Sequence, residues 1–152
     1  MKQNLIDFLN THERVKYATQ QGSRVHALLQ NIVIDDDNGI NIGDKDIIDV
    51  IRHKPELLPY FCTTAKTEVP IAGILNGVFI SRRIDRLLIN NQTKTIVFLD
   101  YKTDTNKGAS WDNYKKQLTE YAQLLRSAYP EHKIFGFILW TQDWCLEQMI
   151  FL

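Results

Sequence analysis

The amino-acid sequence predicts an α/β protein with a mixed β-sheet flanked by helices. From residue 67 the chain turns to β-branched residues with a period of two, which predicts strands at Thr67–Ile71, Val78–Ile89 and Thr95–Thr103. Residues 111–129 then form the strongest helical pattern, and the nearly continuous apolar run 133–141 is typical of a strand buried on both faces. A helix between two strands normally makes a right-handed parallel crossover, so we expect this last strand to run parallel to its predecessor.

The amino-terminal part of the chain is predicted to be helical. Residues 5–34 contain two helix-like parts, and the second carries an amphipathic stripe. Apolar residues recur there at three- and four-residue spacing, at Val25, Leu28, Leu29 and Ile32.

Shorter elements connect this region to the strands and close the chain. Asp35–Gly39 is predicted to be a turn, with Gly39 free to adopt a positive φ. A short helix is expected from Asp44, ending before Pro55 because the residue preceding a proline disfavours the α conformation. Glu56–Phe61 is predicted to form another helical turn, 90–94 a hairpin loop, and Leu146–Phe151 an edge strand.

Composition and charge place bounds on the class of protein. With 152 residues, 44% of them hydrophobic and 24% charged, we expect one globular domain spanning residues 1–152. The net charge of zero argues against a free-standing, high-affinity nucleic-acid binder. Two cysteines, Cys62 and Cys145, are too few for a four-cysteine zinc or iron–sulfur site. Met1–Leu9 does not resemble a signal peptide and no apolar run approaches ~20 residues, so we expect a cytoplasmic protein without a membrane partner.

The most informative segment is the strand that ends in Asp100 and Lys102. Side chains on a strand alternate between faces, so both should point the same way, with Phe98 behind them. A carboxylate beside an ammonium group can hold a divalent cation and polarise a phosphate. A second acid, Asp85, lies on the preceding strand, 15 residues upstream (100 − 85). The two acids and the lysine predict the metal site of a nuclease.

Five short motifs together resemble those of the PD-(D/E)XK nuclease superfamily, and within it the RecB-like group found at the C-termini of the RecB and AddA helicase–nuclease subunits. They occur in the family's order, as Gly22–His26, Glu68–Pro70, Arg83–Leu87, Asp100–Thr103 and Gln117–Tyr121. The resemblance implies a restriction-endonuclease-like fold. One departure is that Ser-Arg-Arg precedes the Ile-Asp pair where the family usually has glycine, and another is the absence of the four-cysteine iron–sulfur cluster of the AddB and CRISPR-associated exonuclease branch.

The resemblance also implies a ligand set and a set of catalytic residues. His26, Asp85, Asp100 and the backbone carbonyl of Tyr101 would hold Mg²⁺ or Mn²⁺, and the carboxylate and carbonyl oxygens suit such hard cations. Lys102 would either orient the attacking water or stabilise charge on the phosphorane. No iron–sulfur cluster is expected.

Four residues keep more than one interpretation. Gln117 and Tyr121 are four residues apart and share one helix face. In the functional interpretation they contact the DNA backbone or orient Lys102 and metal-bound waters. In the structural interpretation they are an ordinary core tyrosine and its polar neighbour. Glu68 is either an acid that supports the metal ligands from behind or a strand-edge residue. His26 on its own would more often be structural, and only the family resemblance favours ligation.

The arginines around Asp85 are expected at the surface. Arg83 shares strand parity with Asp85, whereas Arg82 and Arg86 should share the opposite face. One of the three could contact phosphate, and surface salt bridges are the default.

These observations predict a metal-dependent deoxyribonuclease, with exonuclease action expected. Nothing in the sequence offers base readout, so cleavage should not depend on sequence. No Walker motif is present, so we expect DNA to be delivered by a partner helicase–nuclease subunit or a covalently linked helicase in recombinational repair. The alternatives are a stand-alone exonuclease of a mobile element or defence system, and an inactive nuclease-fold scaffold that binds DNA or a partner.

Overall fold

The computed structural model describes residue 20 and residues 22–151, which form three α-helices and two β-sheets. The first helix-like part predicted within residues 5–34 lies largely outside the described residues. The elements are α1 (residues 22–30), β1 (Val33–Asp35), β2 (Ile40–Ile42), α2 (Lys45–Arg52), a 3₁₀ turn (Leu58–Phe61), β3 (Lys66–Leu75), β4 (Val78–Asn90), β5 (Thr95–Lys102), α3 (Trp111–Ala128), β6 (Lys133–Trp140) and β7 (Cys145–Met149).

The main sheet has five strands in the order β3-β4-β5-β6-β7. Neighbouring strands are antiparallel except for β5 and β6, which are parallel and connected through α3. The predicted α/β class, the mixed sheet and the parallel crossover are therefore confirmed. No helix in the described part of the chain is long and apolar enough to cross a membrane.

The two faces of the sheet are buried under different helices. Phe98 and Ile96 of β5 pack in one cluster with Leu118 and Leu125 of α3. The residues that alternate with them on β5 pack in a second cluster with α1, α2 and the 3₁₀ turn, which includes Leu99, Tyr101, Leu29, Ile32, Ile51 and Phe61. The strict alternation of β5 thus places Asp100, two residues after Phe98, at the carboxyl end of the α3 face.

The shorter elements follow the sequence with one exception. Asp44 caps α2 by accepting a hydrogen bond from the amide of Ile47 at 3.1 Å, and the helix ends at Arg52, before Pro55 as predicted. Gly39 has a φ of 65°, also as predicted. The exception is the hairpin of β1 and β2. Ile34, predicted within a helix-like part, and Asp35, predicted within the turn, both lie in strand β1, because their backbones pair with β2 at Asn41 and Ile40.

An irregularity interrupts β4 at Asp85. The pairing of β3 with β4 passes from Thr67↔Arg86 to Val69↔Ile84, while Glu68 lies between them with a φ of 52° and has no paired partner. Ile84 and Leu87 both pack in the α3 cluster although they are three residues apart, so the alternation of faces slips by one residue between them. Pairing of β4 with β5 begins only at Arg86↔Leu99. Asp85 therefore lies where the two strands part.

Candidate metal centre

Asp100 and Lys102 lie side by side at the end of β5, as the alternation of the strand predicts. Asp100 is 2% exposed, and its Oδ2 atom is 2.5 Å from Nζ of Lys102. This contact is an ion pair without hydrogen-bond geometry, and Oδ2 of Asp100 has no hydrogen-bond partner within the described residues. A buried carboxylate oxygen is thus held by charge alone.

Asp85 reaches across the gap between β4 and β5. Its Oδ2 atom accepts a hydrogen bond of 2.7 Å from the backbone amide of Tyr101, the residue that separates Asp100 from Lys102. The carboxylate takes this amide where the ladder between the strands has stopped. This bond holds the second acid next to the backbone of the first.

His26 brings helix α1 to the same point. Its Nε2 atom lies 3.0 Å from the backbone oxygen of Tyr101, and its Nδ1 atom lies 3.5 Å from Oδ1 of Asp85. Since a carbonyl oxygen only accepts, Nε2 must carry the proton, and an acceptor also faces Nδ1. Both ring nitrogens face acceptors, so the pKa of His26 is raised, chiefly by its hydrogen bond with Asp85, although burial opposes the rise.

Gln117 of α3 connects the lysine to the acid and to Tyr121. Its Oε1 atom accepts from Nζ of Lys102 at 3.1 Å, and its Nε2 atom donates to Oδ1 of Asp100 at 3.4 Å and to the hydroxyl of Tyr121 at 2.6 Å. The hydroxyl of Tyr121 in turn donates to the backbone oxygen of Arg83 on β4 at 3.0 Å. Among the interpretations left open by the sequence, this geometry favours orientation of Lys102.

Burial dominates the electrostatics of Asp100. It raises the pKa of Asp100 to about 6, because loss of water and the neighbouring charge of Asp85 outweigh the attraction of Lys102 and His26. Burial also raises the pKa of Tyr121, and the carboxylate of Asp100 adds to that effect. The site therefore concentrates negative charge away from water, which is where a cation is most strongly attracted.

A cleft of about 490 Å³ opens beside these residues, between α1 and the base of β3 and β4. His26, Asp85, Glu68 and Arg83 line it, together with residues 22, 23, 27 and 30 of α1. Nε of Arg83 lies 3.2 Å from Oε2 of Glu68. Glu68 thus lies at the cleft through an irregular backbone position, and in the described structure it pairs with Arg83.

The arginines divide in a way that the sequence did not predict. Arg82 pairs with Glu120 of α3 at 2.8 Å and Arg83 with Glu68, so both form the surface salt bridges expected by default. Arg86 is 0% exposed and donates to oxygens on the α1 side of the sheet, so it does not share a face with Arg82. The expectation for Arg86 was wrong because the irregularity at Asp85 moves it to the other face. The signal for burial that the sequence did offer was an arginine directly after a predicted ligand, within the otherwise largely apolar stretch 84–89.

The donor set fits a hard divalent cation in kind. It combines two carboxylates, one with a buried oxygen lacking a hydrogen bond, a main-chain carbonyl and an imidazole. Across residues 22–151, no three histidine, cysteine, aspartate or glutamate side chains converge as a ready-made cage. Instead the residues of the site contact one another in pairs, the predicted ligands His26 and Asp85 with each other and the predicted ligand Asp100 with Lys102.

Comparisons with known proteins include one weak structural similarity. No family model matches the chain, and no curated protein matches it. One solved structure, "Crystal structure of SSO0001", is similar with a TM-score of 0.40 and 19% sequence identity, covering 67% of this chain and 48% of that one. The chain therefore spans about half the length of that structure.

Proposed function

We propose that the chain is a divalent-metal-dependent nuclease that hydrolyses phosphodiester bonds in DNA without sequence preference. One observation carries the proposal: Asp85, Asp100 and Lys102 meet at one end of the sheet around the backbone of Tyr101. The sequence resemblance to the PD-(D/E)XK superfamily assigns the same residues to that chemistry. Burying two clustered acids and a lysine between the sheet and α3 costs free energy, which favours a functional reason for them over a structural one.

The residues that would hold Mg²⁺ or Mn²⁺ are Asp85, Asp100, His26 and the carbonyl of Tyr101. When bound, such a cation lowers the pKa of water and neutralises charge on the phosphate that is attacked. His26 must lose its proton to become a ligand, and its contact with Asp85 opposes that loss. Burial raises the pKa of Asp100, so this carboxyl loses its proton at a higher pH than usual before it can bind a cation.

Lys102 is held in a fixed direction by three neighbours. Asp100 and Gln117 take two of its contacts, and the ring of Tyr114 lies 4.3 Å from its Nζ atom. A lysine has three N–H donors, and within the described residues only Gln117 accepts one of them in hydrogen-bond geometry, so donors remain for a phosphate oxygen or a water. With its side chain only 14% exposed, the ammonium group acts where water screens it little.

The open cleft and the neutral net charge support DNA as the substrate and a helicase as the partner that delivers it. The cleft beside His26 and Asp85 is lined by polar groups, and the sequence has no arginine and asparagine pattern of a major-groove recognition helix, which supports cutting without base readout. A net charge of zero supports delivery of DNA by a helicase, as a partner subunit or on the same chain. We therefore place the activity, as an exonuclease, in double-strand break repair and recombination by an AddA- or RecB-like assembly in the cytoplasm.

Two alternatives belong to different classes. A stand-alone exonuclease of a mobile element or defence system would use the same site without a helicase. An inactive nuclease-fold scaffold would bind DNA or a partner without cutting it, and the presence of both acids and the lysine disfavours that alternative.

The test is cleavage of labelled linear single- and double-stranded DNA with Mg²⁺ or Mn²⁺. Lys102→Ala should abolish it, and EDTA should do the same to the wild type. Lys94→Ala is the matched control, because Lys94 lies in the turn at the opposite end of β5 and pairs only with Glu131. A folded wild type that cuts neither DNA, alone or with an AddA- or RecB-like helicase, would contradict the proposal.

A further inference from the structure

Arg86 is a fully buried cation on the face of the sheet that α1 covers. Its guanidinium donates four hydrogen bonds, to the hydroxyl of Tyr101 at 2.7 Å, to the carbonyls of Leu29 at 2.8 Å and Ile32 at 3.2 Å, and to the carbonyl of Tyr60 at 3.3 Å. The ring of Phe61 lies 4.3 Å from its central carbon. Arginine has five N–H donors in a planar fork, so four of the five are used.

Two of these acceptors lie at the carboxyl end of the helix that carries His26, one in its last turn and one just after it. Leu29 is three residues after His26, in the last turn of α1, and Ile32 follows that turn. The last carbonyls of a helix carry its partial negative charge, and the carbonyl of Leu29 accepts both from Arg86 and, in a tightened turn, from the amide of Ile32. Arg86 therefore fastens the end of α1 to β4 with a charge of the favourable sign.

The bond to Tyr101 extends the same link to the other ligands. The ring of Tyr101 packs edge-on against the ring of His26, with centroids 5.5 Å apart and an angle of 83°. The backbone oxygen of Tyr101 contacts His26, and its amide contacts Asp85. Arg86 itself follows Asp85 in the chain. One guanidinium thus touches all three segments that carry the predicted ligands.

The electrostatics of Arg86 also point beyond simple stability. No carboxylate in the described part of the chain forms an ion pair with it, so the charge is compensated only by neutral oxygens, a helix end and an aromatic ring. A buried charge of this kind is costly to desolvate, and apolar residues of similar volume often serve a core as well or better. Directional contacts to three segments are what an apolar residue could not provide.

We propose that Arg86 is a positioning residue, which sets His26 and the carbonyl of Tyr101 against Asp85 and Asp100 so that they bind a divalent cation together. This inference rests on the proposed function, since it concerns the same metal site. Arg86 contacts neither cation nor substrate and acts only through α1 and Tyr101. Tyr101 has two roles here, because its backbone carbonyl would be a ligand while its hydroxyl accepts a hydrogen bond from the guanidinium of Arg86.

The experiment measures Mn²⁺ affinity by isothermal titration calorimetry and free Mn²⁺ by electron paramagnetic resonance, at pH 7.5. Tyr101→Phe removes one bond of the fork and leaves the charge and the ring in place. Arg86→Lys keeps the charge but cannot reproduce the planar fork. We expect Mn²⁺ affinity to fall about 10-fold in Tyr101→Phe and at least as much in Arg86→Lys, the usual effect of removing a group that orients ligands.

A control separates positioning from stability. Ile51→Val shortens a fully buried side chain of the same core cluster without touching the fork. Metal-free unfolding curves of all three variants show how much each destabilises the fold. We expect Ile51→Val to lose stability and keep the wild-type Mn²⁺ affinity.

Three outcomes would overturn the inference. Tyr101→Phe and Arg86→Lys could both bind Mn²⁺ as the wild type does. Affinity could instead fall in proportion to lost stability in every variant, Ile51→Val included, which would make Arg86 a core residue only. A wild type that neither binds Mn²⁺ nor cuts DNA would overturn the proposed function as well, whereas normal binding and cutting with unchanged variants would overturn this inference alone.

Discussion

Replacing Asp100 with asparagine should stabilise the metal-free protein relative to the wild type by an amount that increases as the pH rises from acidic to neutral. Asp100 is 2% exposed, and burial is the largest cause of its raised pKa. Lys102, 2.5 Å away, offsets part of that cost, while the charge of Asp85 adds to it. Asparagine keeps the shape of the side chain and removes the charge.

The magnitude follows from the shift of the pKa. The pKa of Asp100 rises from 3.8 to about 6, and each unit is worth about 1.4 kcal/mol, so the carboxylate costs about 3 kcal/mol once it is ionised. A raised pKa means that the folded state binds the proton more tightly than the unfolded state. The stabilisation is therefore fully present below pH 3.8 and is lost as the pH rises through about 6. Asp100→Asn does not suffer this loss.

The assay is chemical unfolding in EDTA at a series of pH values from 4 to 8, for the wild type and Asp100→Asn. The free energy of unfolding of the variant minus that of the wild type should grow by about 2 kcal/mol across this range, because part of the change already lies below pH 4. Asp143→Asn is a control of opposite sign, because the exposed Asp143 has a pKa that Lys107 lowers. A difference that stays flat for Asp100→Asn, or that shrinks as the pH rises, would refute burial as the dominant effect.

Three further outcomes test the site. Lys102→Ala should lower turnover on DNA by about 10²-fold or more while Mn²⁺ binding is kept, since its ammonium group faces the reaction and is no ligand; unchanged turnover would remove it from the mechanism. The pKa of His26 is raised, and a metal ion needs the neutral ring. Mn²⁺ should therefore bind more tightly as the pH rises from 6 to 8, and His26→Asn should flatten this pH dependence in a calorimetric titration. An equal pH dependence in both proteins would return His26 to a structural role. Gln117→Ala should lower turnover about 10-fold with Mn²⁺ affinity kept, because Lys102 loses an orienting partner. Thr119→Ala, on the exposed side of α3, is the control and should have no effect. Equal kinetics of the two variants would contradict the orienting role.

Much of the candidate site was predictable because β5 obeys a local rule. The alternation of side chains from Ile96 to Lys102 is a property of the extended backbone, so the shared face of Asp100 and Lys102 needed no knowledge of the rest of the chain. The four-residue spacing of Gln117 and Tyr121 on α3 is local in the same sense, and both reach the site. Family resemblance placed His26 with them, and the structure brings its ring to Asp85.

The same rule failed on the neighbouring strand, β4, where long-range pairing intervenes. Parity assigned Arg86 to the face of Arg82, but β4 loses its regular alternation opposite Glu68. The hairpin of β1 and β2 was likewise missed, because three-residue strands are decided by the partner they pair with and carry no pattern of their own.

The sequence by itself determined the order of the elements from α2 onward, the mixed α/β class and the residues at the end of β5, since these depend on patterns a few residues long. Only the tertiary structure decided how those residues engage one another. It showed that burial, more than the neighbouring acid, perturbs Asp100, and that Arg86 is buried among the carbonyls of α1. The physical reason is that desolvation and directional hydrogen bonds depend on atoms brought together from distant parts of the chain, which no local pattern encodes.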